Sequence, residues 1–282
     1  MTSALKLPMA DYIADKLGTD LPTLNSGLAN RLMTRSPLHA WWGHPRLNLE
    51  YQSEESDAFD LGTAAHESLI EGRSRVVVCH YPDWRTKAAK DERDALREAG
   101  KIPLLPDQAL AVDRMTTAAQ LAMAASTDLD GLGELVPEQT LLWMEEGVYL
   151  RCRPDWMSED ATIILSYKTT GVSAEPESFA KHIINMGYDM QMAFETSAVE
   201  AVFGTRVTHY VWIVQETAPP YAVSLIGCSP EMRQYGMDRM GIAVSRWADC
   251  LARDRWPGYP RQIAYVSPPR WAMSQLLERL EA

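Results

Sequence analysis

A carboxylate at Asp155 and an amine at Lys168 bracket the chemistry of the stretch Val148 to Thr170, VYLRCRPDWMSEDATIILSYKTT. Val148 to Cys152 alternates as a strand, Ser158 to Asp160 supplies a polar turn, and Thr162 to Tyr167 is rich in β-branched and apolar residues, so a β-hairpin is expected. Side chains two apart on a strand share a face, which puts Ser166 beside Lys168, toward the space that Asp155 also faces. A carboxylate and a lysine converging there can hold a divalent metal and steer a water toward a phosphate. The plainer reading is a turn residue after Pro154 and a solvated lysine at a strand end, and motifs this short do occur by chance.

Other residues qualify by type and spacing. His66 lies on an expected helix from Gly62 to Ile70, whose Gly62, Ala64 and Ala65 permit another backbone to come close. Its imidazole is either a satisfied core group or, set over a strand-end carboxylate, a metal ligand or the group that orients one. Glu138 heads a strand that pairs through the Glu145–Gly147 turn with the Val148 strand, as an acid supporting the site or as a strand-edge residue. Lys90, Arg93 and Arg97 fall on one face of a helical segment between Tyr81 and Gly100, either a phosphate-contacting stripe or a salt-bridged solvated face. Tyr188, Gln191 and Glu195 share a face at i, i+3 and i+7 of one long helix that begins near Glu177 and ends near Gly204. His39 and His44, beside prolines and tryptophans, read as packing or surface residues.

The elements that must position these groups alternate between helix and strand. Short helices are expected over Met9 to Lys16 and from Asn25 or Ser26 to Met33, with a long Ala- and Met-rich helix over Pro106 to Ala125 and a turn at Asp130–Gly133. Strands follow at Arg206 to Gln215 and Tyr221 to Ile226, then a helix from Pro230 to about Arg253, a proline-rich arm and a final amphipathic helix. No repeat or linker divides the chain. The expectation is a single domain over 1–282, with a helical N-terminal section (1–60), a core (61–228) and C-terminal helices and arm (229–282).

Hydrophobic residues make up 46% and charged residues 23%, an ordinary globular profile for 282 residues. The net charge of −11 excludes a protein that coats nucleic acid with its whole surface, so any DNA contact must be confined to a groove or channel. Cys79, Cys152, Cys228 and Cys250 form no C-x-x-C pair, which points to a reducing cytoplasmic setting. No signal sequence or membrane span is recognisable, and no membrane partner is expected.

Taken together, SPLHAW with HPRLN, GTAAHESLIEG, the basic helix ending in AGKIPLL, the E-x-x-L-L-W strand, RCRPDW, IILSYKTT and GYDMQMAF resemble the PD-(D/E)xK nuclease superfamily. Within it the resemblance is to the RecB-like branch and to phage and prophage exonucleases of the RecE (exonuclease VIII) type. The resemblance implies an α/β (α+β) fold with a central mixed β-sheet of the restriction-endonuclease-like type flanked by helices. It implies Mg²⁺ or Mn²⁺ as cofactor. His66 and Asp155 would be the metal ligands, Lys168 the catalytic lysine, and Tyr188 and Gln191 substrate-contacting helix residues. The implied activity is processive 5′→3′ degradation of linear double-stranded DNA in phage-type recombination. The implied partners are DNA ends, a single-strand annealing protein, and copies of the chain in a homo-oligomeric ring.

Two departures from the pattern bear on catalysis. Ser166 stands where the family's second carboxylate belongs, and Glu195 where a tyrosine is often found. A serine hydroxyl is a poor ligand for a hard cation. Either the chain is a catalytically inactive or inactivated DNA-binding relative, or the carboxylate has moved to the helix. In the second case Glu195 is the first candidate, and Glu175 and Glu177 are weaker ones.

Overall fold

The computed structural model describes residues 2–51, 57–72, 75–130 and 132–281. The chain begins with a strand, β1 (Ser3–Leu5), then short helices α1 (Met9–Ile13), α2 (Ser26–Thr34) and α3 (Pro37–Trp42). α4 (Asp57–His66) runs directly into a π-helical turn, Glu67–Glu71, and is followed by β2 (Val76–Val78), α5 (Lys87–Glu98), β3 (Ile102–Leu104) and α6 (Pro106–Ala124). The central strands are β4 (Leu135–Pro137), β5 (Thr140–Glu145), β6 (Val148–Cys152), β7 (Trp156–Ser158) and β8 (Ile163–Thr170). Helices α7 (Pro176–Met186) and α8 (Tyr188–Phe203), strands β9 (His209–Glu216) and β10 (Val223–Gly227), and helices α9 (Pro230–Arg253) and α10 (Arg270–Glu281) complete it.

A five-stranded mixed sheet in the order β10-β9-β8-β7-β4 carries the fold. Its centre is the parallel pair β8 and β9, with Ile164 opposite Tyr210 and Ser166 opposite Trp212, while the other pairs are antiparallel. Both faces are covered, as the apolar run IIL in β8 requires. Ile164, Tyr210, Trp212 and Val214 pack in the large core with α8, α9 and α2, and Leu165, Tyr167 and Ile213 pack with Ala65, Met115 and Ala119 of α4 and α6. A three-stranded sheet, β1-β5-β6, lies beside α8, and β2 and β3 form a parallel pair. The mixed sheet between helices is the expected architecture. Among the described residues no helix is long and apolar enough to cross a membrane, and the four cysteines are free.

Several expectations need correcting. The hairpin does not join Val148–Cys152 to the Thr162 strand. β6 pairs with β5 in the smaller sheet, and β8 takes β7 as its antiparallel partner. Pro154, which cannot donate to a ladder, separates β6 from β7 and frees the chain to change sheets there. The long helix is two helices: Gly187 at φ 75° ends α7, and a Cβ at that position would come within 2.5 Å of the Asn30 side chain. α1 stops at Ile13, with Asp15 at φ 56°, and α5 starts only at Lys87, capped by the Thr86 hydroxyl. The N-terminal section is not purely helical, because β1 pairs antiparallel with β5. Residue 131 of the expected Asp130–Gly133 turn lies outside the described residues.

Candidate active site

Asp155 occupies the break between β6 and β7, and four donors converge on its carboxylate. Oδ2 accepts the Tyr167 backbone N–H at 2.7 Å and the Ser166 hydroxyl at 3.1 Å, and lies 3.6 Å from Lys168 Nζ. Oδ1 is 3.1 Å from His66 Nε2. Burial pushes the Asp155 carboxyl up, but Lys168, His66 and the Tyr167 N–H together hold it far below the usual carboxylate range. The alternation of β8 is what delivers Ser166 and Lys168 to one oxygen, as the spacing predicts.

His66 reaches this point because α4 can lie close to β8. A Cβ on Gly62 would sit 2.9 Å from the Thr169 hydroxyl, so only glycine allows the approach without a shift. The other ring nitrogen, Nδ1, is 3.7 Å from Glu138 Oε1, and Arg153 holds the second Glu138 oxygen through Nε and a terminal nitrogen, both at 3.0 Å. Burial disfavours the imidazolium, yet Asp155 and Glu138 outweigh it and raise the His66 pKa. Glu138 is therefore an acid supporting the site, and its own N–H donates to the Asp155 carbonyl at 3.1 Å. The π-helical turn that follows His66 brings Glu71 against Glu138, and burial followed by the charge of Glu138 raises the Glu71 pKa. A cleft of about 660 Å³, lined by Lys6, Leu7, Ile70, Glu71, Glu138 and Arg153 among others, opens on this side.

On the other side of β8, α8 presents a second buried acid. Glu195 is 1% exposed; Gln191 Nε2 donates to one of its oxygens at 2.7 Å and the Tyr210 hydroxyl to the other at 2.8 Å. Ser166, itself wholly buried, donates its hydroxyl proton to Asp155, as Tyr210 donates its own to Glu195. Asp155 and Glu195 are thus each capped by a buried hydroxyl, Ser166 on the first and Tyr210 on the second. Burial and then the charge of Asp155 push Glu195 up to about 7, while Lys168 pulls the other way. Lys168 Nζ lies 5.2 Å over the Tyr188 ring, which stacks on Phe179 at 6.3 Å.

The expected site residues separate accordingly. His66, Asp155, Ser166, Lys168, Tyr188, Gln191 and Glu195 are drawn into one neighbourhood, with Gln191 turned onto Glu195. The cations of α5 are placed differently. That helix packs chiefly on β3, and Arg93 is engaged with Asp94 at 3.0 Å and with the Trp84 ring at 5.8 Å. Glu175 caps α7 through the Glu177 and Ser178 N–H groups, so it is spent on the helix end. Arg153, Glu71 and Tyr210 are the members that the sequence did not single out. Arg153 was within reach, standing two residues before Asp155. Tyr210 was not, since its place depends on the parallel register of β8 and β9.

Two carboxylates and an imidazole, Asp155, Glu195 and His66, form a donor set whose chemistry fits a hard divalent cation, and a cation there would relieve the repulsion that raises Glu195. Among the described residues no three His, Cys, Asp or Glu side chains stand together as a ready-made cage. The acids are closed instead on Lys168, Ser166, Gln191 and Tyr210.

Residues 36–269 match the family model of a PDDEXK-like domain of unknown function (DUF3799). No curated protein sequence matches the chain. A crystal structure from Eubacterium rectale, of a protein provisionally described as an exonuclease, superposes with a TM-score of 0.62 at 10% identity, covering 96% of this chain and 98% of that one. At that identity the likeness is one of fold.

Proposed function

The chain belongs to the PDDEXK-like family of the DUF3799 domain, and we propose that it is a divalent-cation-dependent exodeoxyribonuclease in which Glu195 supplies the carboxylate that β8 lacks. One observation carries this reading. Behind the serine at the expected acid position stands a buried carboxylate, Glu195, held by Tyr210 and Gln191 and raised by burial and by the charge of Asp155. Burying such a group is costly unless a partner charge arrives.

Mg²⁺ or Mn²⁺, when bound, supplies Lewis acidity at a phosphate oxygen and an acidified water. Asp155, Glu195 and His66 would hold it. Lys168 keeps its ammonium between Asp155 and the Tyr188 ring, where it can orient a water and meet the negative charge that grows on the phosphate. Gln191 and Tyr210 fix both oxygens of Glu195, so that its geometry is set before substrate arrives. Glu138, held by Arg153, orients His66 from behind. The finer assignment rests on the family resemblance: linear double-stranded DNA degraded 5′→3′ in phage-type recombination, with the 3′ overhang passed to a single-strand annealing protein.

The experiment is digestion of linear duplex DNA labelled at either the 5′ or the 3′ end, beside covalently closed circles, in Mg²⁺ and in Mn²⁺. Release of nucleotides from the 5′ ends with circles left intact is the expected result. Nicked circles would replace the exonuclease with an endonuclease. The second reading, a DNA-binding relative without catalysis, is favoured by Ser166 alone. It requires salt-sensitive DNA binding with no cutting under either ion.

A further inference from the structure

Two stretches of the chain carry arginine and no acid, and the fold lays one on the other. Leu21 to Leu49, bounded by Asp20 and Glu50, holds Arg31, Arg35 and Arg46. Arg255 to Leu277, bounded by Asp254 and Glu278, holds Arg255, Arg261 and Arg270. Neither contains a lysine, in a chain whose net charge is −11. On α5, by contrast, Asp91, Glu92, Asp94 and Glu98 alternate with the cations. The segment that joins α9 to α10 returns over α3, where the Leu38 N–H donates to the Pro257 carbonyl at 3.1 Å and the Tyr259 ring lies 5.2 Å from His39. The two stretches therefore form one surface.

Rings and cations are interleaved on it. Trp42 stands one turn beyond Leu38 and His39 on the same face of α3 and is 56% exposed, and Tyr259 is 65% exposed. The Arg31 guanidinium lies beside Trp42, filling the space that a Cβ on Gly43 would need. Arg35, which ends α2, follows Arg31 by one turn, and like charges at that spacing repel. Arg46 is spent on the N-terminal loop, and Asp249 near the end of α9 is taken by Arg253 at 2.8 Å. Among the described residues no acid pairs with Arg31, Arg35, Arg255, Arg261 or Arg270. The surface adjoins the reaction centre through α2, because the Asn30 side chain leaves no room for a Cβ on Gly187, the residue before Tyr188.

Unpaired cations with exposed rings between them call for a polyanion that also offers flat apolar faces. A single-stranded nucleic acid has both: its phosphates neutralise the arginines and its bases stack on the rings, whereas a duplex keeps its base faces turned inward. We propose that Arg31, Arg35, Trp42, Arg255, Tyr259 and Arg261 form a binding track for single-stranded DNA, the strand that an exonuclease leaves behind as it consumes the other. The track is separate from the acids around Asp155. Its link to the spared strand rests on the nuclease reading; the binding itself does not.

The test is fluorescence anisotropy of the full chain with a labelled oligothymidylate of about 20 nucleotides, beside a blunt duplex hairpin, in EDTA so that no cleavage intervenes. The wild type is expected to bind the single strand about tenfold more tightly than the hairpin. Arg31→Ala with Arg35→Ala should weaken that binding about tenfold and flatten the slope of log affinity against log salt by about 1.4. Trp42→Ala and Tyr259→Ala should each cost about tenfold with the slope unchanged, and Trp42→Phe and Tyr259→Phe should restore most of it. Melting temperature and sedimented mass should stay at wild-type values throughout. Single-strand binding that survives these substitutions, or hairpin binding that is as tight and falls in parallel, overturns the proposal. A variant that changes the sedimented mass in place of the affinity for the strand overturns it too, and assigns the surface to a protein partner. Absence of cleavage by the wild type in Mg²⁺ and Mn²⁺ would strike the nuclease reading alone and leave the strand binding as measured.

Discussion

This chain buries two clusters around an aspartate, one paired with Arg151 of β6 and the other centred on Asp155 four residues beyond it, and they are built to different ends. Asp15 accepts the Thr23 N–H at 3.0 Å and the Thr23 hydroxyl at 2.6 Å, pairs with Arg151 of β6, and has Arg46 at 3.4 Å and His44 at 3.3 Å. Arg46 goes on to bind the carbonyls of Thr19, Asp20 and Leu21, so the cluster ties the N-terminal loop to β6 and closes on itself. Asp155 collects a similar set of N–H, hydroxyl, imidazole and cation, yet it is joined by further acids. Glu138 and Glu71 stand behind His66, and Glu195 behind Ser166, its pKa pushed up to about 7 by burial and by Asp155. Burial and hydrogen bonding alone do not mark a functional site. A second buried acid within electrostatic reach of the first, as Glu195 is of Asp155, points to one.

The largest contrast should come from neutralising each aspartate. Asp155→Asn is expected to lower DNA cleavage by about 10³-fold, and because Lys168, His66 and the Tyr167 N–H favour the charged carboxylate it should lower the urea midpoint as well. Asp15→Asn strands Arg151 in the interior and should cost about 3–5 kcal/mol in urea unfolding, with cleavage per folded molecule unchanged. Equal effects of the two on cleavage per folded molecule would erase the distinction.

Next come opposite responses to pH. For Asp15 burial pushes the carboxyl up, but His44, Arg151 and Thr23 outweigh it and leave it below its ordinary 3.8, so its stabilisation is present above that value and is lost as pH falls through the lower folded value. Glu195 is raised from 4.5 to about 7, so the folded state binds the extra proton, and stability falls as pH rises across that window, by up to about 3 kcal/mol without metal. His66, also raised, acts in the same direction. Thermal melts of the metal-free wild type and of Glu195→Gln from pH 4.5 to 8 isolate the glutamate, because the variant should keep only the loss that His66 contributes. At pH 8, saturating Mn²⁺ should return about 2–3 kcal/mol to the wild type and nothing to Asp155→Asn. The smallest effect is expected of Tyr210→Phe, about 1 kcal/mol of stability and roughly tenfold in cleavage, because it removes only one hydrogen bond to Glu195.

Much of this was legible in the sequence because it depends on local period. Ser166 and Lys168 share a strand face, Gln191 and Glu195 share a helix turn, and Gly62 four residues before His66 announces a close approach. What was hidden depends on which strands pair. The apparent hairpin concealed a change of sheet at Pro154, and nothing local says that β8 lies parallel to β9 in the register that carries Tyr210 to Ser166. Glu138 stayed ambiguous in the sequence because its role rests on Arg153 and His66, which come from different elements. The closed Asp15 cluster was not foreseen, since its members are spread from Asp15 to Arg151.

The central claim is that the second carboxylate resides on α8 in place of β8, and the most direct test is cleavage of end-labelled linear duplex by four proteins in Mg²⁺ and Mn²⁺. These are the wild type, Glu195→Gln, Ser166→Asp, and the double variant. A wild type that cuts, a Glu195→Gln variant that does not, and recovery in the double variant would put the acid where the account places it. An inert wild type alongside a cutting Ser166→Asp would contradict it, making the serine a block and Glu195 a bystander.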